Sequence, residues 1–204
     1  SRGLGDVYKR QIKIRINSLI FFEEILTSLR IPLRASSARS GGMTLEAIPL
    51  SGAMGAEIRG ADLREVDNAT IAEIHKILLD HGMIFYRDQD ITPTQQLIFA
   101  KRWGEPHFHP YMPGLPDHPE IIEIVKNPED THTFGGQWHT DQMFTPTPAM
   151  GTMLYAKEVP EAGGDTLFGN LYLAYDAMSD AMNAAIANLR TFNLYDKKSA
   201  ALPS

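Results

Sequence analysis

Apolar runs in this chain are short and β-like, and glycine and proline keep interrupting them. The runs MIFYR (83–87), EIIEIV (120–125), QWHTDQMF (137–144), MGTMLYAKEV (150–159) and DTLFGN (165–170) follow one another with turn residues such as Pro146, Pro148 and Gly163-Gly164 between them. β-branched and aromatic residues at this density, bounded by turn formers, predict strands of one sheet system. Upstream, LEAIPL and GAEIRGADL, punctuated by Gly52, Gly55 and Gly60, predict two further strands or a hairpin. Helical spacing is confined to a few places. Ile71, Ile74, Ile77 and Leu78 recur behind a capping Asn68 and stop at Gly82, and Thr92, Pro93 and Gln95 form a capping box for a helix through Trp103 that Gly104 ends. Asn170 and Ser179 are placed to cap two short helices, and TFNLY (191–195) predicts a last strand. The segment GEPHFHPYMPGLPDHP (104–119) is too rich in proline and glycine for regular structure, and a loop of that length usually serves a site. The fold class expected is mainly β with flanking helices (α+β). With 204 residues and 43% hydrophobic content, one domain is the expectation.

Charge divides the chain at Met43. Residues 1–42 hold eight Lys/Arg against three Asp/Glu, residues 43–204 hold 11 against 22, and every methionine and histidine lies at position 43 or later. SRGLGDVYKRQ reads as a translated sequencing adapter and Met43 as a natural start, so residues 1–42 are expected to be a non-native or disordered leader without a fixed place in the fold. The alternative is a basic arm or an amphipathic helix over 17–30. The acidic remainder gives no footprint for nucleic acid, and no apolar run is long enough for a bilayer span or secretory segment, which points to a soluble, cytoplasmic protein. A small-molecule substrate is the partner expected, and a homo-oligomer stays open. Cysteine is absent, so a metal here must be held by histidine nitrogen and carboxylate oxygen.

His139 and Asp141 meet that requirement. Side chains at i and i+2 of a strand share a face, so the two would aim at one point, with Trp138 and Thr140 turned toward packing on the other face. With one more imidazole they would complete the two-histidine, one-carboxylate triad that holds non-haem Fe(II) with open positions. The pair alone says little, because seven histidines and 13 aspartates produce about 0.45 such spacings by chance. A solvated strand face with a hydrogen-bonded His/Asp pair is the plainer alternative. The similar pair His118 and Glu120, separated by Pro119, reads as surface loop.

Several stretches taken together carry more. GAEIRGADL, MIFYRDQDITPTQQ, WGEPHFHP, WHTDQMF, MGTMLYAKEVP and GGDTLFGN resemble, in order and spacing, the taurine dioxygenase (TauD/TfdA-like) family of Fe(II)- and 2-oxoglutarate-dependent dioxygenases. The resemblance runs from about Ile48 to the end of the chain. It implies a double-stranded β-helix (a jelly roll, clavaminate synthase-like), Fe(II) as metal, 2-oxoglutarate and O2 as cosubstrates, and hydroxylation of a small, anionic organic substrate of taurine or sulfonate type. It makes His139 and Asp141 catalytic iron ligands, Thr166 the hydroxyl that binds a 2-oxoglutarate carboxylate, and His109 a substrate contact beside Tyr111 and Gly135, while His107 is left structural.

Two departures bear on the substrate. Sulfonate-binding members carry an asparagine four residues before the metal histidine and a tyrosine three residues after the loop histidine, where this chain has Gly135 and Met112. A larger or more hydrophobic substrate fits equally well, with Tyr111 or Phe134 reshaping the pocket. The resemblance also implies a second metal histidine and an arginine for the far carboxylate of 2-oxoglutarate, and neither has a counterpart in the 204 residues. The chain is therefore expected to be the N-terminal portion of the domain, incomplete at its C-terminus and inactive alone. A non-catalytic jelly-roll binding module and a non-functional gene fragment are the alternatives.

Overall fold

The computed structural model describes residues 12–20, 44–127, 129–131 and 136–194. The chain divides into two compact units, one of residues 1–25, 100–166 and 192–204, the other of residues 26–99 and 167–191. No helix among the described residues is long and apolar enough to cross a membrane.

The first unit is built on an antiparallel four-stranded sheet. Its strands are β1 (Ile12–Ile20), β5 (Glu105–His107), β6 (Ile122–Lys126) and β7 (Ala149–Glu158). β1 is central: β6 pairs with Ile12–Ile16, β5 with Ser18–Ile20, and β7 with the other edge from Lys13 to Ile20. This strand lies inside the basic segment, against the expectation that residues 1–42 stand outside the fold. The reason is legible in IKIRINSLI, where Ile12, Ile14 and Ile16 alternate with Lys13, Arg15 and Asn17 at the period of a strand and not of a helix. The leader's remaining residues, 1–11 and 21–42, lie outside the described residues. Ile16→Pro removes a ladder donor from the middle of this sheet. Hydrogen exchange is expected to speed up at β6 and β7 amides in that variant, and unchanged protection there would take residues 12–20 out of the sheet.

The second unit holds a three-stranded sheet in which β2 (Glu46–Pro49) runs antiparallel to β3 (Ala56–Arg59), and β3 runs parallel to β4 (Ile84–Phe85). The predicted hairpin is present, while the MIFYR strand is shorter than expected. Helix α1 (Asn68–His81) buries Ile74 completely, and Ala56, Ile58, Leu63, Ile91 and Phe99 are buried in the same unit. Its N-cap is Asp67, one residue before the predicted Asn68: the carboxylate accepts from Thr70 N at 2.7 Å. Gly82 closes the helix as predicted, at φ 69° with its N–H donating to Leu78 O at 2.7 Å. Asp67→Ala is expected to cost about 1 kcal/mol in a denaturant melt.

Helix α2 (Pro93–Ala100) opens with the predicted box: Thr92 N donates to Gln95 Oε1 at 2.9 Å and Gln95 N to Thr92 Oγ1 at 3.2 Å. It stops at Ala100, earlier than Trp103, and a turn in which Trp103 N donates to Ala100 O at 3.0 Å covers the difference. Helices α3 (Leu171–Asp176) and α4 (Asp180–Ile186) start at the predicted caps, Asn170 accepting from Leu173 N at 3.1 Å and Ser179 from Met182 N at 3.3 Å. Neither buries a side chain. Short helices without burial are marginal, so the caps and the bond from Asn170 Nδ2 to Ala53 O at 2.8 Å define their position.

Three predicted strands are not strands. Residues 165–169 and 191–194 are exposed, and neither DTLFGN nor 191–194 joins a β-ladder among the described residues; a strand without a ladder partner leaves its backbone to solvent. QWHTDQMF is an irregular segment ending in a turn at residues 141–144, with Gln142 at φ 53° and Thr145 N donating to Gln142 O at 3.0 Å. A left-handed residue followed by Pro146 and Pro148 cannot continue a ladder.

Candidate functional site

His139 and Asp141 meet, although no strand carries them. His139 Nε2 lies 3.1 Å from Asp141 Oδ1, with the two side chains about half exposed. His139 Nδ1 lies 2.7 Å from Gln137 O. A carbonyl only accepts, so Nδ1 carries a proton, and in the neutral ring the Nε2 lone pair then faces Asp141. Two lone-pair atoms at this separation need a proton or a cation between them. Two donor atoms bound at about 2.1 Å on adjacent positions of an octahedral metal stand about 3.0 Å apart. The pair therefore fits one edge of such a metal, and the bond from Nδ1 to a backbone carbonyl is the orienting partner that metal-binding histidines use.

Trp138 does not pack on an opposite face as expected; it is exposed, as is Thr140. Asp141 has a partner that local sequence reasoning missed. Thr152 Oγ1, on β7, donates to Asp141 Oδ2 at 2.5 Å. Eleven residues separate the two, so no short-range spacing marks the contact.

The loop before Gly114 packs against the same turn. Tyr111 lies against Phe144, ring centroids 6.1 Å apart, and His109 stands edge-on to Tyr111 at 6.3 Å. His109 Nδ1 accepts from Tyr111 N at 3.2 Å and Met112 N at 3.1 Å. Its remaining proton sits on Nε2, which makes the imidazole an outward donor. Burial lowers its pKa, the nearby His107 lowers it further, and the field of Asp141 opposes both. His107, at the end of β5, is also held toward its neutral form by burial.

Gly135 and Phe134 lie outside the described residues. Thr166 stands in an exposed segment after Gly163 and Gly164, which take left-handed φ values of 81° and 74°. It forms no hydrogen bond to His139 or Asp141. The structure thus brings His139, Asp141, His109 and Tyr111 into one neighbourhood and gives Thr166 no hydrogen bond to them. Among the described residues no group of three His, Cys, Asp or Glu side chains is placed to hold a metal. His118 lies in the loop, its N–H bonded to Leu115 O at 3.1 Å.

Residues 46–201 match the family described as taurine catabolism dioxygenase TauD, TfdA family. The chain belongs to this family. Among its relatives, an alpha-ketoglutarate-dependent sulfate ester dioxygenase of Pseudomonas putida is 32% identical over 142 residues, which are 69% of this chain and 46% of that protein. An (S)-phenoxypropionate/alpha-ketoglutarate-dioxygenase of Sphingobium herbicidovorans is 28% identical over 154 residues, covering 70% of this chain and 50% of the relative. A crystal structure of a taurine dioxygenase from Burkholderia xenovorans is similar with a TM-score of 0.58 at 29% identity, over 71% of this chain and 51% of that one. The chain spans about half the length of these relatives. A sheet with flanking helices is the architecture this likeness supports.

Proposed function

We propose that residues 43–204 are a portion of an Fe(II)- and 2-oxoglutarate-dependent dioxygenase domain, of the double-stranded β-helix type, acting on a small anionic organic substrate. The observation that carries the reading is the His139 Nε2 to Asp141 Oδ1 approach of 3.1 Å in a chain of the TauD/TfdA family. Family members named for alpha-ketoglutarate dependence act on sulfate esters and phenoxypropionate, both anions. His139 and Asp141 would hold Fe(II), which when bound supplies oxygen activation coupled to decarboxylation of 2-oxoglutarate.

The chain's own groups have separate tasks. Gln137 O holds the His139 ring in the tautomer that presents Nε2 as a ligand. His109, its Nδ1 engaged by two backbone donors, offers Nε2–H to an anionic head group. Tyr111 and Phe144 give the rim an apolar wall. Thr166, on its glycine turn, is assigned to the 2-oxoglutarate carboxylate as a hydroxyl donor.

The test is an anaerobic titration of the chain with Fe(II) and then 2-oxoglutarate, followed by succinate release in air. Sulfonates, sulfate esters and aryloxyalkanoates are offered to the chain alone and to the chain joined to the half of the Pseudomonas putida relative that it does not cover. Fe(II) binding that depends on His139, with succinate release from at least one of the two proteins, is expected. Absence of both sinks the proposal.

A further inference from the structure

We propose that Thr152 is a positioning residue that decides which oxygen of Asp141 is offered to the metal; this rests on the assignment of His139 and Asp141 as ligands. The two carboxylate oxygens have different surroundings. Oδ2 accepts the Thr152 hydroxyl at 2.5 Å, a short bond of the charge-assisted kind, and Oδ1 faces His139 Nε2 at 3.1 Å. The oxygen engaged by Thr152 has less lone-pair density to give, so Oδ1 is the oxygen Asp141 would offer to a metal.

The two partners also differ in how firmly they are held. Asp141 sits in a turn outside any ladder, and the terminal torsion of an aspartate is broad, so its carboxylate can rotate and exchange its oxygens. Thr152 sits within β7, where its backbone pairs with Ser18 of β1, and a β-branched side chain on a strand has restricted χ1. The hydroxyl is thus fixed by the sheet, and the hydrogen bond passes that fixity to a ligand the turn alone leaves loose. Gln137 O does the same for His139 from within its own segment.

The experiment is a Mn(II) titration of the 204-residue chain, read by loss of the free-ion paramagnetic resonance signal, on wild type, Thr152→Val, Thr152→Ser and His139→Ala, with circular dichroism confirming folding. Valine keeps the shape and β-branching of threonine and removes only the hydroxyl, while serine keeps the hydroxyl. Thr152→Val is expected to weaken Mn(II) binding about tenfold or more, the loss that follows removal of an orienting partner. Thr152→Ser is expected to stay within about twofold of wild type, a rescue that a purely structural role for the threonine methyl does not produce. Binding by Thr152→Val within twofold of wild type overturns the role of Thr152, as does a loss in Thr152→Ser equal to that in Thr152→Val. In both cases a binding loss in His139→Ala leaves the ligand assignment standing. If His139→Ala binds Mn(II) like wild type, the ligand assignment falls and this proposal falls with it.

Discussion

His139→Ala and Asp141→Ala are each expected to lower Fe(II) affinity by more than about 100-fold, beyond the 10- to 100-fold that loss of a mere orienting partner costs. Their unfolding midpoints are expected to stay close to wild type. Both side chains are about half exposed, and even a fully charged pair at that exposure contributes only about 0 to 1 kcal/mol to stability. The combination is diagnostic: a large loss of binding with little loss of stability belongs to a site, and the reverse to a structural pair. Isothermal titration with Fe(II) under anaerobic conditions, beside a urea melt, separates the two. Unchanged affinity in either variant would remove that residue from the ligand set.

Gly114→Ala is expected to destabilise the first unit by about 3 kcal/mol, the upper range for forcing extra volume into a packed site. A Cβ at Gly114 would stand 2.0 Å from Pro119 O, 2.4 Å from its carbonyl carbon and 2.6 Å from its Cα. These are backbone atoms, and they are not free to step aside. Leu115 N donates to Ile121 O at 2.8 Å, His118 N to Leu115 O at 3.1 Å, and Ile121 N to His118 O at 2.9 Å, closing the loop on itself. Opening it drags on Ile121 and Ile122, which are buried. The other half of the same loop carries His109 and Tyr111, so the variant is also expected to loosen the contact between Tyr111 and Phe144. A urea melt checks the first effect; a change below about 0.5 kcal/mol, the range of an ordinary surface substitution, would show that the loop yields without cost.

Local chemistry made much of this protein legible. The Thr92 and Gln95 box, the left-handed Gly82, and the caps at Asn170 and Ser179 depend on a few neighbouring residues, and each forms where the sequence places it. The runs around β2, β3, β6 and β7 were recognisable for the same reason. The cap falls on Asp67 and not on Asn68 because both are good caps and only the entry of the backbone chooses between them. The strand at Ile12–Ile20 was obscured because charge and methionine distribution set residues 1–42 apart, and composition outweighed an alternation that is plain in IKIRINSLI.

The candidate site divides in the same way. From its residues alone the sequence determined that any metal here would have to take imidazole and carboxylate, and it put forward His139 and Asp141 as a pair close enough along the chain to share one and the 104–119 loop as a candidate site loop. Tertiary structure decided how. Asp141 meets His139 at the start of a turn whose Gln142 is left-handed, and not along a strand, and neither the turn nor its φ values follow from side-chain spacing alone. It also decided that Thr152 reaches Asp141 and that Tyr111 meets Phe144, contacts between segments 11 and 33 residues apart. Side-chain spacing within one element follows from the period of that element, whereas meetings between elements depend on register and turn geometry that only the assembled backbone specifies.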